Sequence, residues 1–182
     1  DQGRKGDARF YQDKGFGAYL TLPIEMNQVM HALSCVEKRT PDEPIISKHA
    51  LIDFTDKVIN VLVVDDNLTN LKVANKILTK TGYQVDLAKN GNEAVEICQQ
   101  KPYHVILMDL RMPEIDGFMA TQKIHETGSK NEHTPIIALT ADYSKEVEAK
   151  CRNVGMVNFI AKPFNRVILI DAVNDAVFKN KN

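Results

Sequence analysis

Short blocks of apolar residues recur along most of the chain, and their spacing predicts strands that alternate with helices. Continuous apolar runs at residues 61–64, 105–108 and 136–139 are typical of strands covered on both faces in a parallel sheet. Residues 85–88 alternate between apolar and polar positions, which favours a strand nearer an edge, and residues 158–161 give a fifth strand.

Helical spacing of apolar residues fills the segments between these strands. The predicted helices lie at residues 68–78, around 94–97, and at 118–127, 144–154 and 165–178. Five strand–helix units in roughly 125 residues predict a doubly wound α/β fold, with right-handed crossovers and helices on both faces of the sheet.

Polar residues stand where these predicted strands end. Asp65 and Asp66 follow the first strand, Asp109 follows the third, Thr140 ends the fourth, and Lys162 follows the fifth. In open α/β sheets, ligands bind in the crevice outside the carboxyl ends of the strands. The sequence therefore predicts that these five side chains share one site.

The chemistry of such a site is that of a metal-assisted phosphoryl acceptor. Three carboxylates packed together repel each other unless a cation neutralises them, and oxygen ligands suit Mg²⁺ or Mn²⁺. Lys162 and the Thr140 hydroxyl can each bind a phosphoryl oxygen. Aspartate is a known nucleophile toward phosphorus, so the protein's task would be positioning and charge stabilisation.

Four motifs make residues 61–177 similar to the receiver domains of two-component response regulators. These are Val-Val-Asp-Asp-Asn at 63–67, Met-Asp-Leu-Arg-Met-Pro-Glu-Ile-Asp-Gly at 108–117, Ala-Leu-Thr-Ala at 138–141 and Phe-Ile-Ala-Lys-Pro at 159–163. The resemblance implies a flavodoxin-like, five-stranded parallel sheet with strand order 2-1-3-4-5. The Asp-Asp-Asn-x-x-Asn form from Asp65 to Asn70 most resembles receivers attached to hybrid histidine kinases.

The resemblance also implies roles for individual residues of the acidic site. Asp109 would accept the phosphoryl group from phosphohistidine, with Lys162 and Thr140 assisting. Asp109, Asp66 and the Arg111 backbone carbonyl would bind the metal, and Asp65 would bind it directly or through water. The domain would catalyse its own phosphorylation and dephosphorylation.

A second set of implied roles concerns switching and lifetime. Thr140 and Phe159 match the hydroxyl and the aromatic residue that move together on phosphorylation in the family. Because Phe159 lacks a tyrosine hydroxyl, the switch is expected to be less sharply two-state. Arg111 and Asp142 match the positions that face each other across the entrance for attacking water, which predicts that they tune the lifetime of the phosphorylated state.

The implied partners are a histidine kinase, a histidine phosphotransfer domain, or both. The residues expected to dock the phosphotransfer domain are Leu68, Leu71, Lys72 and Pro163. Leu71 could equally belong to the core, because one face of the first helix must cover the sheet.

The segment before residue 57 resembles the end of another receiver. Gly15–Ile24 aligns without a gap on Gly155–Phe164 at a constant offset of 140. Residues 1–37 would then be the closing portion of a pseudo-receiver, because Leu22 stands at the lysine position, and residues 38–56 would be a linker before the receiver at 57–182. A half-domain cannot bury its apolar face alone, so we expect it to pack on the main domain or on a neighbouring copy, which would give a dimer.

Composition limits the remaining classes. The net charge of −1 gives no field for nucleic acid or for an anionic membrane surface, and Cys35, Cys98 and Cys151 lack metal-ligand spacing. The chain has no apolar run long enough to span a membrane, and it begins without Met or a signal peptide. We therefore expect a cytoplasmic segment of a longer protein, and that parent protein could itself be membrane-anchored. That parent would be a hybrid sensor histidine kinase whose kinase core is not in this segment.

Other phosphate-handling proteins fit less well. A haloacid-dehalogenase-type phosphatase needs a second Asp where Arg111 stands, and the P-loop motif GxxxxGK[ST] does not occur. A flavin-binding protein of the same fold would not need the acidic residues together with Lys162. The main alternative is a receiver-fold binding module that is never phosphorylated.

Overall fold

A computed structural model of the protein describes residues 58–126, 128–142 and 144–179. Before them it describes Phe16, Ala18–Tyr19, Val29 and Ile46–Ser47. The chain divides into two units, Asp1–Val58 and Ile59–Asn182.

The second unit is built on a five-stranded sheet. Its strands are β1 (Asn60–Val64), β2 (Gln84–Ala88), β3 (Val105–Asp109), β4 (Ile136–Thr140) and β5 (Asn158–Ala161). All pairs are parallel, and the spatial order is β2-β1-β3-β4-β5. The predicted doubly wound fold and its strand order are confirmed, and β2 lies at an edge as its alternating pattern indicated.

Five helices cover the sheet. They are α1 (Leu68–Lys80), α2 (Gly91–Gln100), α3 (Gly117–Ile124), α4 (Lys145–Asn153) and α5 (Arg166–Lys179). The first four begin after a residue whose side chain accepts a hydrogen bond from a backbone N–H in the first turn, namely Asn67, Asn90, Asp116 and Ser144. The helix predicted over residues 118–127 ends earlier than expected, at Ile124, because the chain turns at His125 and Glu126 accepts a hydrogen bond from the Ser129 N–H.

Alternate residues of each central strand point to opposite faces, which builds two core layers. On β1, Leu62 packs with residues of α2, α3 and α4, whereas Val63 packs with residues of α1 and α5. Both residues are fully buried. Apolar strands buried on both faces are what the continuous runs predicted, and this sheet fixes the position of every strand end at the site.

The N-terminal unit is described at only a few residues. Ala18–Tyr19 pairs in parallel with Ile46–Ser47. The second of these strands lies within the predicted linker at 38–56. Otherwise the predicted pseudo-receiver portion and the linker, including Leu22, lie outside the described residues, so both stay predictions.

No helix in the described part of the chain combines the length and the apolar character needed to cross a membrane.

Candidate functional site: an acidic pocket at the carboxyl ends of the strands

The acidic pocket forms where β1 and β3 end side by side. Carboxylate oxygens of Asp65, Asp66 and Asp109 all lie within 4.8 Å of one another. Asp65 is fully buried and Asp109 is 5% exposed, whereas Asp66 is exposed to solvent. The structure therefore brings together the three carboxylates that the sequence placed at strand ends, and this oxygen donor set suits a hard divalent cation.

Lys162 bridges two of these carboxylates. Its Nζ atom lies 2.7 Å from Asp65 Oδ2 and 2.6 Å from Asp109 Oδ2, and its side chain is only 17% exposed. It follows β5 directly, and its N–H donates to the Thr140 carbonyl. One mostly buried cation thus serves two buried anions, which reduces the repulsion between them.

Asp109 lies at the end of β3, where it is held on several sides. Its Oδ1 atom accepts a hydrogen bond from the Arg111 N–H at 3.2 Å. Burial raises the pKa of Asp109, while the ion pair with Lys162 lowers it and the Asp65 charge adds to the rise; the net shift is upward. Gly117 packs against the backbone of Asp109 so closely that a Cβ atom there would lie 2.2 Å from the Asp109 carbonyl oxygen. Only glycine fits at the start of α3.

The Thr140 hydroxyl is engaged within its own turn. It donates to the Asp142 carbonyl at 3.1 Å and accepts from the Asp142 N–H at 3.0 Å. Thr140 and Ala138 are two residues apart on β4 and so face the same side of the sheet. Phe159, which is paired with Ala138 in register, packs against the core layer that contains Ala138. The two predicted switch residues therefore lie on one face of the sheet.

The two predicted lifetime residues meet at the surface. Arg111 Nη2 lies 3.3 Å from Asp142 Oδ2, and the Arg111 side chain is 77% exposed. The contact is a single long N–O approach and not a bidentate bridge. An exposed pair of this kind contributes about 0–1 kcal/mol to stability.

Three of the four predicted docking residues are accessible. Leu68 is 55% exposed, and Lys72 and Pro163 are also exposed. Leu71 is 2% exposed and packs in the core layer beneath α1, so its assignment to a docking surface was wrong. The reason is helical spacing, because Leu71 lies on the same face as Ala74 and Leu78, both fully buried.

Sequence reasoning missed two features of this end of the sheet. One is Asn70, whose side-chain amide contacts Asp65; the motif spacing could have signalled it, but no role was assigned. The other is the apolar pair Val167 and Ile168 at the start of α5, which are 65% and 49% exposed. The available signal was the run of four consecutive apolar residues at 167–170, which cannot all face the core from one helix.

The family of the chain follows from comparison with known proteins. The family model of the response regulator receiver domain matches residues 61–174, which is more than half of the chain. The chain therefore belongs to the response regulator receiver domain family, a component of two-component phosphorelay signalling.

The relatives of the chain include histidine kinases. Hybrid signal transduction histidine kinase B of Dictyostelium discoideum is 41% identical over 128 residues, which cover 65% of this chain and 6% of that protein. Signal transduction histidine-protein kinase BarA of Escherichia coli is 33% identical over 159 residues, which cover 86% of this chain and 17% of BarA. The chain thus spans only a small part of the length of these relatives. The BarA match is longer than the unit Ile59–Asn182, so it includes part of the N-terminal unit.

Solved structures of receiver domains share the fold. Chemotaxis protein CheY4 of Vibrio cholerae is 29% identical, with a TM-score of 0.64 over 66% of this chain and 99% of that one. The receiver domain of sensor histidine kinase PA1611 of Pseudomonas aeruginosa, solved with a magnesium ion in its active site cleft, is 35% identical (TM-score 0.61; 66% and 98% covered). The receiver of Saccharomyces cerevisiae Ssk1, solved with the histidine phosphotransfer protein Ypd1, is 31% identical (TM-score 0.59; 64% and 87% covered).

Proposed function

We propose that this receiver domain accepts a phosphoryl group from phosphohistidine onto Asp109 and passes it on to a histidine phosphotransfer domain. The observation that carries the proposal is the convergence of Asp65, Asp66 and Asp109 around the buried Lys162. In the forward step an Asp109 carboxylate oxygen forms a bond to phosphorus. The P–N bond of the donor breaks, and its electron pair returns to the histidine nitrogen. The reverse step hands the phosphoryl group to the next histidine.

The pocket fits Mg²⁺, and Mn²⁺ as a substitute. Asp66 and Asp109 would bind it directly together with the Arg111 carbonyl, and Asp65 would contribute through water or directly. When bound, the dication neutralises charge on the phosphoryl oxygens during transfer. The exposed position of Asp66 leaves its carboxylate free of the Lys162 bridge, which supports its role as a direct ligand.

Lys162 and Thr140 would hold the transferred group. Lys162 already contacts the nucleophilic carboxylate, so its Nζ atom can bind a phosphoryl oxygen after a small movement. Thr140 must first give up its two hydrogen bonds to the Asp142 backbone. Replacing those bonds with one to the phosphoryl group would release the turn after β4 and vacate space on the face where Phe159 packs. For this reason Thr140 and Phe159 are assigned as the switch.

The surface around the pocket supports docking of a helical phosphotransfer partner. Leu68 and Lys72 are exposed on α1, and Pro163 is exposed directly after β5. Val167 and Ile168 add exposed apolar surface at the start of α5, which shares a core layer with α1. The Ssk1 receiver was solved with such a partner, Ypd1.

The parent protein is proposed to be a hybrid sensor histidine kinase whose kinase core lies outside this segment. The kinase relatives and the extension of the BarA match into the N-terminal unit support this. Residues 1–37 would be the end of a pseudo-receiver, joined by a linker to the receiver in the cytoplasm. Dimerisation through that half-domain stays part of the same hypothesis.

Labelling with acetyl phosphate in Mg²⁺ buffer tests the phosphoacceptor assignment. An Asp109 oxygen would bond to phosphorus, and acetate would leave with the electron pair of the broken P–O bond. Wild type should gain one base-labile phosphoryl group by intact mass, Asp109→Asn should gain none, and the control Asp171→Asn, at an exposed residue of α5, should label normally. Undiminished labelling of Asp109→Asn would contradict the assignment, and an unlabelled wild type would favour an unphosphorylated binding module.

A further inference from the structure

Asp65 is enclosed by donors from three parts of the chain. Its Oδ1 atom accepts from the Asn67 N–H at 2.9 Å, and its Oδ2 atom accepts from Lys162 Nζ at 2.7 Å. The Asn70 amide nitrogen lies 3.1 Å from each of the two oxygens. A fully buried carboxylate requires hydrogen-bond donors or a cation at its oxygens, because an unpaired buried charge is costly.

The orientation of the Asn70 amide follows from the partner. An ionised carboxylate can only accept hydrogen bonds, so the nitrogen of the amide, and not its oxygen, must face Asp65. The amide nitrogen is equidistant from both oxygens, so a single neutral donor contacts the whole carboxylate group. Asn70 also comes from the first turn of α1, so the helix itself fixes the position of the donor.

Lys162 has two competing tasks in this arrangement. It pairs with Asp65 and Asp109 at once, yet phosphoryl transfer requires it to bind a new oxygen on Asp109. If Asp65 depended on Lys162 alone, that movement would leave a buried anion without a partner. With Asn67 and Asn70 in place, Asp65 keeps two neutral donors when the lysine turns away.

We infer that Asn70 is a positioning residue for phosphoryl transfer, which satisfies Asp65 so that Lys162 is free to serve the phosphoryl group. This inference rests on the proposed function. It predicts a change in the rate of phosphorylation without a loss of Mg²⁺ affinity, whereas general damage to the pocket would lower both. In Asn70→Ala, Asp65 should hold Lys162 more tightly, so phosphorylation of Asp109 should slow by about tenfold. Mg²⁺ affinity should be unchanged or higher, because the pocket loses a neutral donor and keeps all its carboxylates.

The test uses the whole chain and two measurements. One is the rate of labelling by acetyl phosphate at saturating Mg²⁺, and the other is the Mg²⁺ dissociation constant by calorimetry without acetyl phosphate. Asn75→Ala is the matched control, since Asn75 lies half-buried further along α1 and should leave both quantities at wild-type values. If Asn70→Ala does not fold, Asn70→Ser gives the same comparison, because its short hydroxyl cannot span both carboxylate oxygens.

The outcomes distinguish this inference from the proposed function. Slower labelling with retained Mg²⁺ affinity supports the role of Asn70. A wild-type labelling rate in the variant, or a parallel loss of labelling and Mg²⁺ binding, overturns it. Failure of the wild-type chain to label at Asp109 would instead refute the proposed function on which the inference rests.

Discussion

Replacing Lys162 should destabilise the metal-free protein and make its stability depend strongly on Mg²⁺. The Lys162→Met change keeps most of the aliphatic volume and removes the charge. Asp65 and Asp109, at 0% and 5% exposure, would then face each other without their shared cation. Removing one partner of a buried ion pair typically costs about 3–5 kcal/mol.

The structure places the expected loss at the lower end of that range. Asp65 keeps the hydrogen bonds from Asn67 and Asn70, and Asp109 keeps the one from the Arg111 N–H. We therefore expect the free energy of unfolding to fall by about 3 kcal/mol in the absence of metal. Because the pocket becomes more negative, Mg²⁺ should bind the variant more tightly than wild type. At a Mg²⁺ concentration well above both dissociation constants, each tenfold gain in affinity recovers about 1.4 kcal/mol of the difference.

Urea denaturation of the whole chain, with EDTA and then with Mg²⁺, measures both effects. Lys76→Met is the matched control, because Lys76 is exposed on α1. Adding Asp65→Asn to Lys162→Met should restore much of the lost stability, since one of the two buried anions that lost their shared cation is then gone. A metal-free stability equal to that of Lys76→Met, or no recovery in the double variant, would refute the reasoning.

Three further predictions concern the metal, the lifetime and the partner. Asp66→Ala should weaken Mg²⁺ binding at least tenfold. The stability of the metal-free protein should hold or rise, because repulsion between the carboxylates is relieved. An unchanged Mg²⁺ affinity in an NMR titration would place the metal elsewhere. Arg111→Ala and Asp142→Ala should each speed loss of the phosphoryl group by about threefold, and the double variant should be no faster than the faster single variant. If decay assays showed multiplicative effects or none, the two residues would not act together to obstruct the attacking water. Leu68→Glu should lower the kcat/KM for transfer from a phosphohistidine donor domain by about tenfold. The control Val73→Glu changes a 42% exposed position roughly 140° around α1 and should leave kcat/KM unchanged. Equal rates in wild type and Leu68→Glu would contradict docking at α1.

The sequence by itself determined the order of elements and the membership of the site. Apolar runs such as 105–108 could only be satisfied by burial on both faces, so alternation with helices led to a doubly wound parallel sheet. Since parallel strands present their carboxyl ends at one edge, Asp65, Asp109 and Lys162 had to lie near each other. Both conclusions depend on local periodicity and chain direction, which a single sequence displays.

Tertiary structure alone decided which groups touch and which are buried. The Lys162 bridge between Asp65 and Asp109 depends on the relative heights of β1, β3 and β5, which no local pattern encodes. The burial of Leu71 and the contact of Asn70 with Asp65 depend on how α1 is rotated against the sheet. That rotation is set by packing against β1 and against α5, which is distant in sequence, and a helix with apolar residues on more than one face does not specify it in advance.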